Sequence, residues 1–206
     1  MRTAASRMSV ALLLALGVAA TAYTFGKGGA ANLDRTGTPA AYARLMVGAP
    51  LSGPLAATEH VSVMARLAGI DPSGLRRIVH GRDSLASVVV GRDARGRTCV
   101  ADASADAAGS FSCDPFAIFP IFLVVESRGT RGHAAFSGFA GAADTVVRRL
   151  EVELADGSTR TLATNEAGGF SYGAADPGAF PVTLIVHGPG GRILLSVPLP
   201  NAAPPA

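Results

Sequence analysis

The sequence predicts an all-β fold, an antiparallel β-sandwich, preceded by an N-terminal hydrophobic helix, a linker and one short helix. Two observations carry this. From Leu75 onward, short apolar runs alternate with glycine-containing turns, the pattern of strands joined into hairpins. Ahead of them, Met1 to Ala22 has the order of an export signal, which fixes the chemistry open to the only two cysteines.

The signal comes first. Arg2 and Arg7 form a positive n-region, Val10 to Ala19 is an uncharged apolar run, and Ala20-Thr21-Ala22 is an A-x-A cleavage site. The uncharged stretch continues from Met8 to Gly26. A spanning helix needs about 20 apolar residues, so residues 1–22 are expected to act as a cleaved signal peptide or as a signal anchor. Positive charge precedes the apolar run, so either outcome places the rest of the chain outside. No cysteine lies near the cleavage site, which excludes a lipoprotein anchor. The expected location is secreted or on the extracellular face of the cytoplasmic membrane.

Residues 23–54 are rich in Gly, Ala, Pro and Thr, lack a hydrophobic period and read as a flexible linker. Residues 55–72 read as a short helix. Val61, Met64, Ala65 and Ala68 recur at i, i+3, i+4 and i+7, one helical face; Gly53-Pro54 suits its start, and Gly69 with Pro72 its end. Residues 73–200 read as the β-sandwich domain and residues 201–206 as a disordered tail.

Four segments of that domain read as hairpins: Val88–Val100, Leu123–Phe136, Val152–Leu162 and Leu184–Leu195. Several short strands with frequent turns point to a two-sheet, Ig-like type of sandwich. In the third hairpin, Leu150, Val152 and Leu154 alternate with Arg149, Glu151 and Glu153, the period of a half-buried strand. Asp156-Gly157 suits a two-residue type I′ turn. That register sets Glu153 opposite Arg160 and Val152 opposite Thr161, and leaves Leu162 facing outward with Glu151. The fourth hairpin is almost continuously apolar, as in central strands covered on both faces.

Composition narrows the partners. The formal charge is +3, and loss of Arg2 and Arg7 with the signal takes it to +1. The remaining arginines are dispersed among acids, as in Arg82-Asp83, Arg92-Asp93 and Arg148-Arg149 before Glu151. Without a basic stripe, nucleic-acid binding is rejected. The membrane is met only through an uncleaved N-terminal segment, and an envelope or protein partner is the remaining kind.

Cys99 and Cys113 are the only cysteines. An even number in an exported chain predicts a disulfide; the other reading is two free, buried thiols. No C-x-x-C spacing and no nearby histidine supports a metal site. Asp102 and Asp106 lack the ligand density of a calcium loop, and Gly26-Lys27-Gly28-Gly29 lacks the P-loop spacing. His60, His80, His133 and His187 fit no metal motif. No cofactor is expected.

Gly169-Phe170-Ser171-Tyr172-Gly173 matches G-x-S-x-G, with Asp176 and His187 following in the order of a serine-hydrolase triad. The mechanism needs the serine on a strained strand-to-helix turn. Ala174-Ala175-Asp176-Pro177-Gly178 follows instead, a turn rather than a helix, so a strand burying alternate aromatics is preferred and no catalytic residue is assigned.

A resemblance also emerges. Gly138–Val146, Val152-Glu-Leu-Ala-Asp-Gly-Ser158, Phe180-Pro-Val-Thr-Leu184 and Gly190-Gly-Arg192, with Asp71–Arg77 and the cysteine pair upstream, resemble the C-terminal module of uncharacterised exported actinobacterial (high-GC Gram-positive) proteins. The similarity covers about residues 70–200. Gly188-Pro189 stands where that group often has Asp. It implies export and a β module, and it carries no known activity.

The chain is therefore expected to be an exported, non-catalytic β-sandwich module, binding or structural at the cell envelope. The alternatives are the outward domain of a membrane-anchored regulator and an exported serine hydrolase.

Overall fold

A computed structural model of the chain describes residues 37–51, 55–80, 87–103, 110–130 and 133–199. The expected signal, residues 1–22, and the tail, residues 201–206, lie outside them, as does the Gly53-Pro54 helix start. Among the described residues no helix is long and apolar enough to cross a membrane.

The described chain opens inside the segment expected to be a linker, and part of that segment belongs to the fold. Helix α1, Pro39–Leu45, is started by Thr38, whose Oγ1 accepts the Ala41 N–H (3.3 Å), and by Pro39 in the first turn. Ala41 and Leu45, four apart on one face, are buried. Strand β1, Ala49–Pro50, then joins the edge of the first sheet.

Helix α2, Leu55–Leu67, buries Val61 and Ala65 as their spacing predicts; Met64 is half-buried, and Ala68 is exposed beyond the end. Gly69, at φ +72°, closes it. Its N–H donates to the Arg66 carbonyl and that of Ile70 to the Ala65 carbonyl, a Schellman cap with apolar Ile70 packed inward. A 3-10 turn, Pro72–Gly74, follows, capped by Asp71.

The remaining strands are β2 (Arg76–His80), β3 (Ser87–Arg92), β4 (Thr98–Asp102), β5 (Ser112–Cys113), β6 (Ile121–Thr130), β7 (His133–Ala143), β8 (Arg149–Leu154), β9 (Thr159–Leu162), β10 (Gly169–Ala174), β11 (Pro181–His187) and β12 (Ile193–Pro198). They form three antiparallel sheets in the orders β1-β2-β3-β4-β5, β10-β7-β6 and β12-β11-β8-β9. The all-β, antiparallel, sandwich-like class is the one the sequence predicts, but it is built with three sheets where two were expected.

Three cores separate four layers. Val61 and Ala65 of α2 pack on Val89, Cys99 and Ala101 of the first sheet. Val88, Val90 and Val100, on its other face, meet Ala140 and Ala142 of β7. Phe139 and Ala143 of β7 face Leu150, Val152, Leu184 and Val186 of the third sheet. The middle sheet is thus covered on both sides, and the small side chains along β7 let it fit between its neighbours.

Gly141 shows how tight that fit is. It pairs with Phe170 of β10, and a Cβ there would lie 2.5 Å from Phe170 Cζ and against the Phe122 carbonyl oxygen. Gly141→Ala is expected to cost about 2 kcal/mol by overpacking. A urea-unfolding midpoint equal to that of the wild type would contradict it.

All four expected hairpins are present, as β3–β4, β6–β7, β8–β9 and β11–β12. The third has a different register from the one the sequence suggests. Glu153 pairs with Thr159, Val152 with Arg160 and Leu150 with Leu162. The loop holds three residues, with Gly157 at φ +82° and its N–H donated to the Leu154 carbonyl (2.9 Å), the three-residue alternative to a type I′ turn. The expected Glu153–Arg160 pair is therefore not formed. The slip places Leu162 beside Leu150 on the inner face, which removes the misfit of the I′ register. The fourth hairpin is covered on one strand only: β11 is central, whereas β12 is an edge strand with Ile193 57% exposed.

Candidate functional site

Cys99 and Cys113 sit directly opposite each other in the β4–β5 pairing, and their sulfurs lie at bonding distance, 1.98 Å. Cys99 is fully buried beneath α2 and Cys113 is half-buried. The Asp93 carboxylate lies close to both sulfurs, the single grouping of metal-ligand atoms among the described residues. Asp93 already has other partners. It accepts the backbone N–H groups of Arg95 and Arg97, each at 2.9 Å, and pairs with the Arg97 guanidinium at 2.8 Å. Burial works to raise its carboxyl, but the Arg97 and Arg95 donors outweigh burial and hold it below the ordinary range.

The G-x-S-x-G residues form strand β10, paired residue for residue with β7. Phe170 and Tyr172 point into the core shared with the third sheet, in contact with Phe139 at ring-centroid distances of 6.2 and 6.0 Å. Tyr172 Oη donates to the Ala179 carbonyl (2.9 Å). Burial pushes its phenol up, opposed by Arg160 and helped by Asp156 and Asp176. Ser171 lies opposite Ala140, on the side facing the first sheet. Asp176 caps the 3-10 turn Pro177–Gly178–Ala179 by accepting the Gly178 N–H (3.0 Å).

His187 ends β11 in the third sheet and is buried, 6% exposed. Its Nε2 is 2.7 Å from Glu151 Oε2, and its Nδ1 is 3.2 Å from the Gly191 carbonyl oxygen. Arg149 Nη1 lies 3.4 Å from the other Glu151 oxygen. Ser171, Asp176 and His187 therefore have separate neighbours, and the two named partners of the serine are bonded elsewhere. His60 is exposed on α2; the side chains of His80 and His133 lie outside the described residues, as does Asp106.

Three polar features were missed in the sequence. Arg44 of α1 donates to the Glu166 carbonyl (3.0 Å), the Asn165 carbonyl (3.1 Å) and Thr164 Oγ1 (3.3 Å). Asp144, fully buried, accepts the Gly37 N–H (2.7 Å) and the Val146 N–H (3.1 Å). Together they strap residues 37–45 across the ends of the middle sheet. Thr38-Pro39 was the available signal, a capping residue before a proline. The Glu151–His187 pair had none, because only the β8–β11 pairing brings those residues together.

Among the described residues, fold and site define an all-β arrangement of three sheets with a cross-strand cysteine pair and a serine that sits in a regular strand. No family model matches the chain, and neither a curated protein nor a solved structure matches it.

Proposed function

We propose that the chain is an exported, non-catalytic β module that binds a partner, or serves a structural role, at the bacterial cell envelope. The observation that carries this reading is the Cys99–Cys113 pair, with its sulfurs at bonding distance. Disulfides persist in oxidising compartments and are rare in the cytosol, so the pair agrees with the export signal expected in residues 1–22. The proposal takes the pair as a stable disulfide, and takes the resemblance to exported actinobacterial modules as a statement about that same setting. The test is N-terminal sequencing of the protein recovered outside the cell. A start at Tyr23 supports a secreted module; a retained N-terminus with the domain exposed supports the tethered regulator; a protein found wholly in the cytoplasm overturns the proposal.

The absence of catalysis is proposed on geometry. A nucleophilic serine needs its base within hydrogen-bond reach, and the His187 ring is occupied by Glu151 and Gly191. A fluorophosphonate probe is expected to leave Ser171 unlabelled in the native protein. Labelling at Ser171 would restore the hydrolase reading.

A further inference from the structure

On one side the middle sheet ends in β10, and the direction of that strand's polar groups follows from its first residue. Gly169 donates its N–H to Asn165 Oδ1 (2.8 Å), and its carbonyl accepts the Asn165 N–H (2.9 Å). Both groups thus turn away from β7. Polar groups alternate along an antiparallel strand. Phe170 and Tyr172 therefore turn theirs toward Gly141 and Phe139, while Ser171 and Gly173 turn theirs away from β7. Among the described residues, none bonds to the outward groups of Ser171 and Gly173.

Open edges are normally blunted by charge, proline, shortness or a bulge. The other described edges of the middle and third sheets follow that rule: β6 has a register shift at Arg128/Gly129, β12 ends in Pro198, and β9 is four residues long and carries Arg160. Strand β10 has none of these devices. Its six residues, GFSYGA, are uncharged and keep an unbroken register with β7.

A hollow lies beside this edge. Val79, Ala163, Phe170 and Ser171, with the polar Thr164 and Asn165, are among the residues that line this open hollow of about 320 Å³. Ser171 projects toward the first sheet, and a residue paired with it would project the same way, onto the side where Val79 of β2 lines the hollow. A second hollow of about 160 Å³ shares Ala163 and Thr164 with the first and is lined by Arg148 and Arg149. Arg149 is near Glu151, whereas the Arg148 side chain has no partner among the described residues.

We infer that β10 is a docking edge for an extended segment of a partner protein, which adds as a further strand of the middle sheet. Its backbone pairs with Ser171 and Gly173. One bulky apolar side chain fills the hollow beside Ser171, and a neighbouring carboxylate meets Arg148. Backbone bonds supply affinity in this mode, and side-chain pockets supply specificity. The inference rests on the binding reading above and gives it a partner class. A second copy of the chain is a poorer occupant: antiparallel β10 pairing sets Gly173 or Ser171 opposite Ser171, and neither side chain fills the hollow.

The test pans random short peptides displayed on phage against the exported protein, then measures the enriched sequences as synthetic peptides. They are expected to share a bulky apolar residue with Asp or Glu close by, and their binding should shift the amide resonances of Ser171 and Gly173. Ser171→Pro removes an outward N–H without breaking a bond to β7, and Ala163→Trp fills the hollow from an exposed loop position. Each is expected to weaken binding by about tenfold or more, and Arg148→Glu should weaken peptides with the acidic residue most. Ala163→Trp decides the matter should Ser171→Pro fail to fold. The inference is overturned if no peptide is enriched, or if binding ignores both substitutions. It is also overturned if light scattering finds a wild-type dimer that Ser171→Pro dissociates, which assigns the edge to a second copy. Failure here leaves the export reading standing, since that reading is tested by compartment and N-terminus.

Discussion

Phe139→Ala is expected to lower the unfolding free energy by about 4 kcal/mol, the range for removing a fully buried phenylalanine without relaxation of its surroundings. Phe139 is 0% exposed on the central strand of the middle sheet. Its ring contacts Phe170 edge-on at 6.2 Å and lies 6.0 Å from Tyr172. The cavity cannot collapse easily, because β7 is held from one side by β6 and from the other by β10. For a domain of this size a loss of that order lowers Tm by roughly 10 °C. Urea unfolding of the variant measures it directly. A loss below about 1 kcal/mol would mean that the core between the middle and third sheets is not packed as described.

The second large effect concerns the cysteines. A sequence separation of 14 corresponds in the chain-entropy model to about 3 kcal/mol of stability. Reduction should therefore lower Tm by several degrees, and the Cys99→Ala/Cys113→Ala variant should melt lower by a similar amount and no longer respond to reductant. The effect is local in origin. Strand β5 has only two residues, Ser112 and Cys113, so without the covalent link little holds it to β4. A melting curve insensitive to reductant in the wild type would remove the disulfide from the account.

Much of the strand layout was legible because local chemistry determines it. Glycine turns flanked by apolar runs marked all four hairpins, and the spacing of Val61 and Ala65 marked the buried face of α2. Sheet membership was not legible. His133–Ala143 is mostly alanine and glycine, with phenylalanines at 136 and 139, so it shows no polar face that would reveal burial on both sides. The third-hairpin register failed for a related reason. Asp156-Gly157 is compatible with two loop lengths, and burial of Leu162 beside Leu150, a contact six residues from Asp156 along each strand, decided between them. The strap of residues 37–45 was hidden by composition: its anchors, Asp144 and Glu166 with its neighbours, lie more than a hundred residues away.

At the candidate site the sequence identified the cysteine pair and gave reasons to doubt the triad, and geometry added the neighbours. G-x-S-x-G arises here from strand requirements. Gly169 packs against Ile78 and Val79, Gly173 lies under the Phe136 ring, and the aromatics between them fill the core shared with the third sheet. The direction of the β10 polar groups could not be read in advance, because it shows only in the bonds between Asn165 and Gly169.

The most direct test of the account is alkylation of the native protein, taken from outside the cell, followed by mass spectrometry. Cys99 and Cys113 are expected to resist the alkylating reagent until the protein is reduced, and then to be modified together. Two free thiols reacting in the unreduced, folded protein would contradict the account.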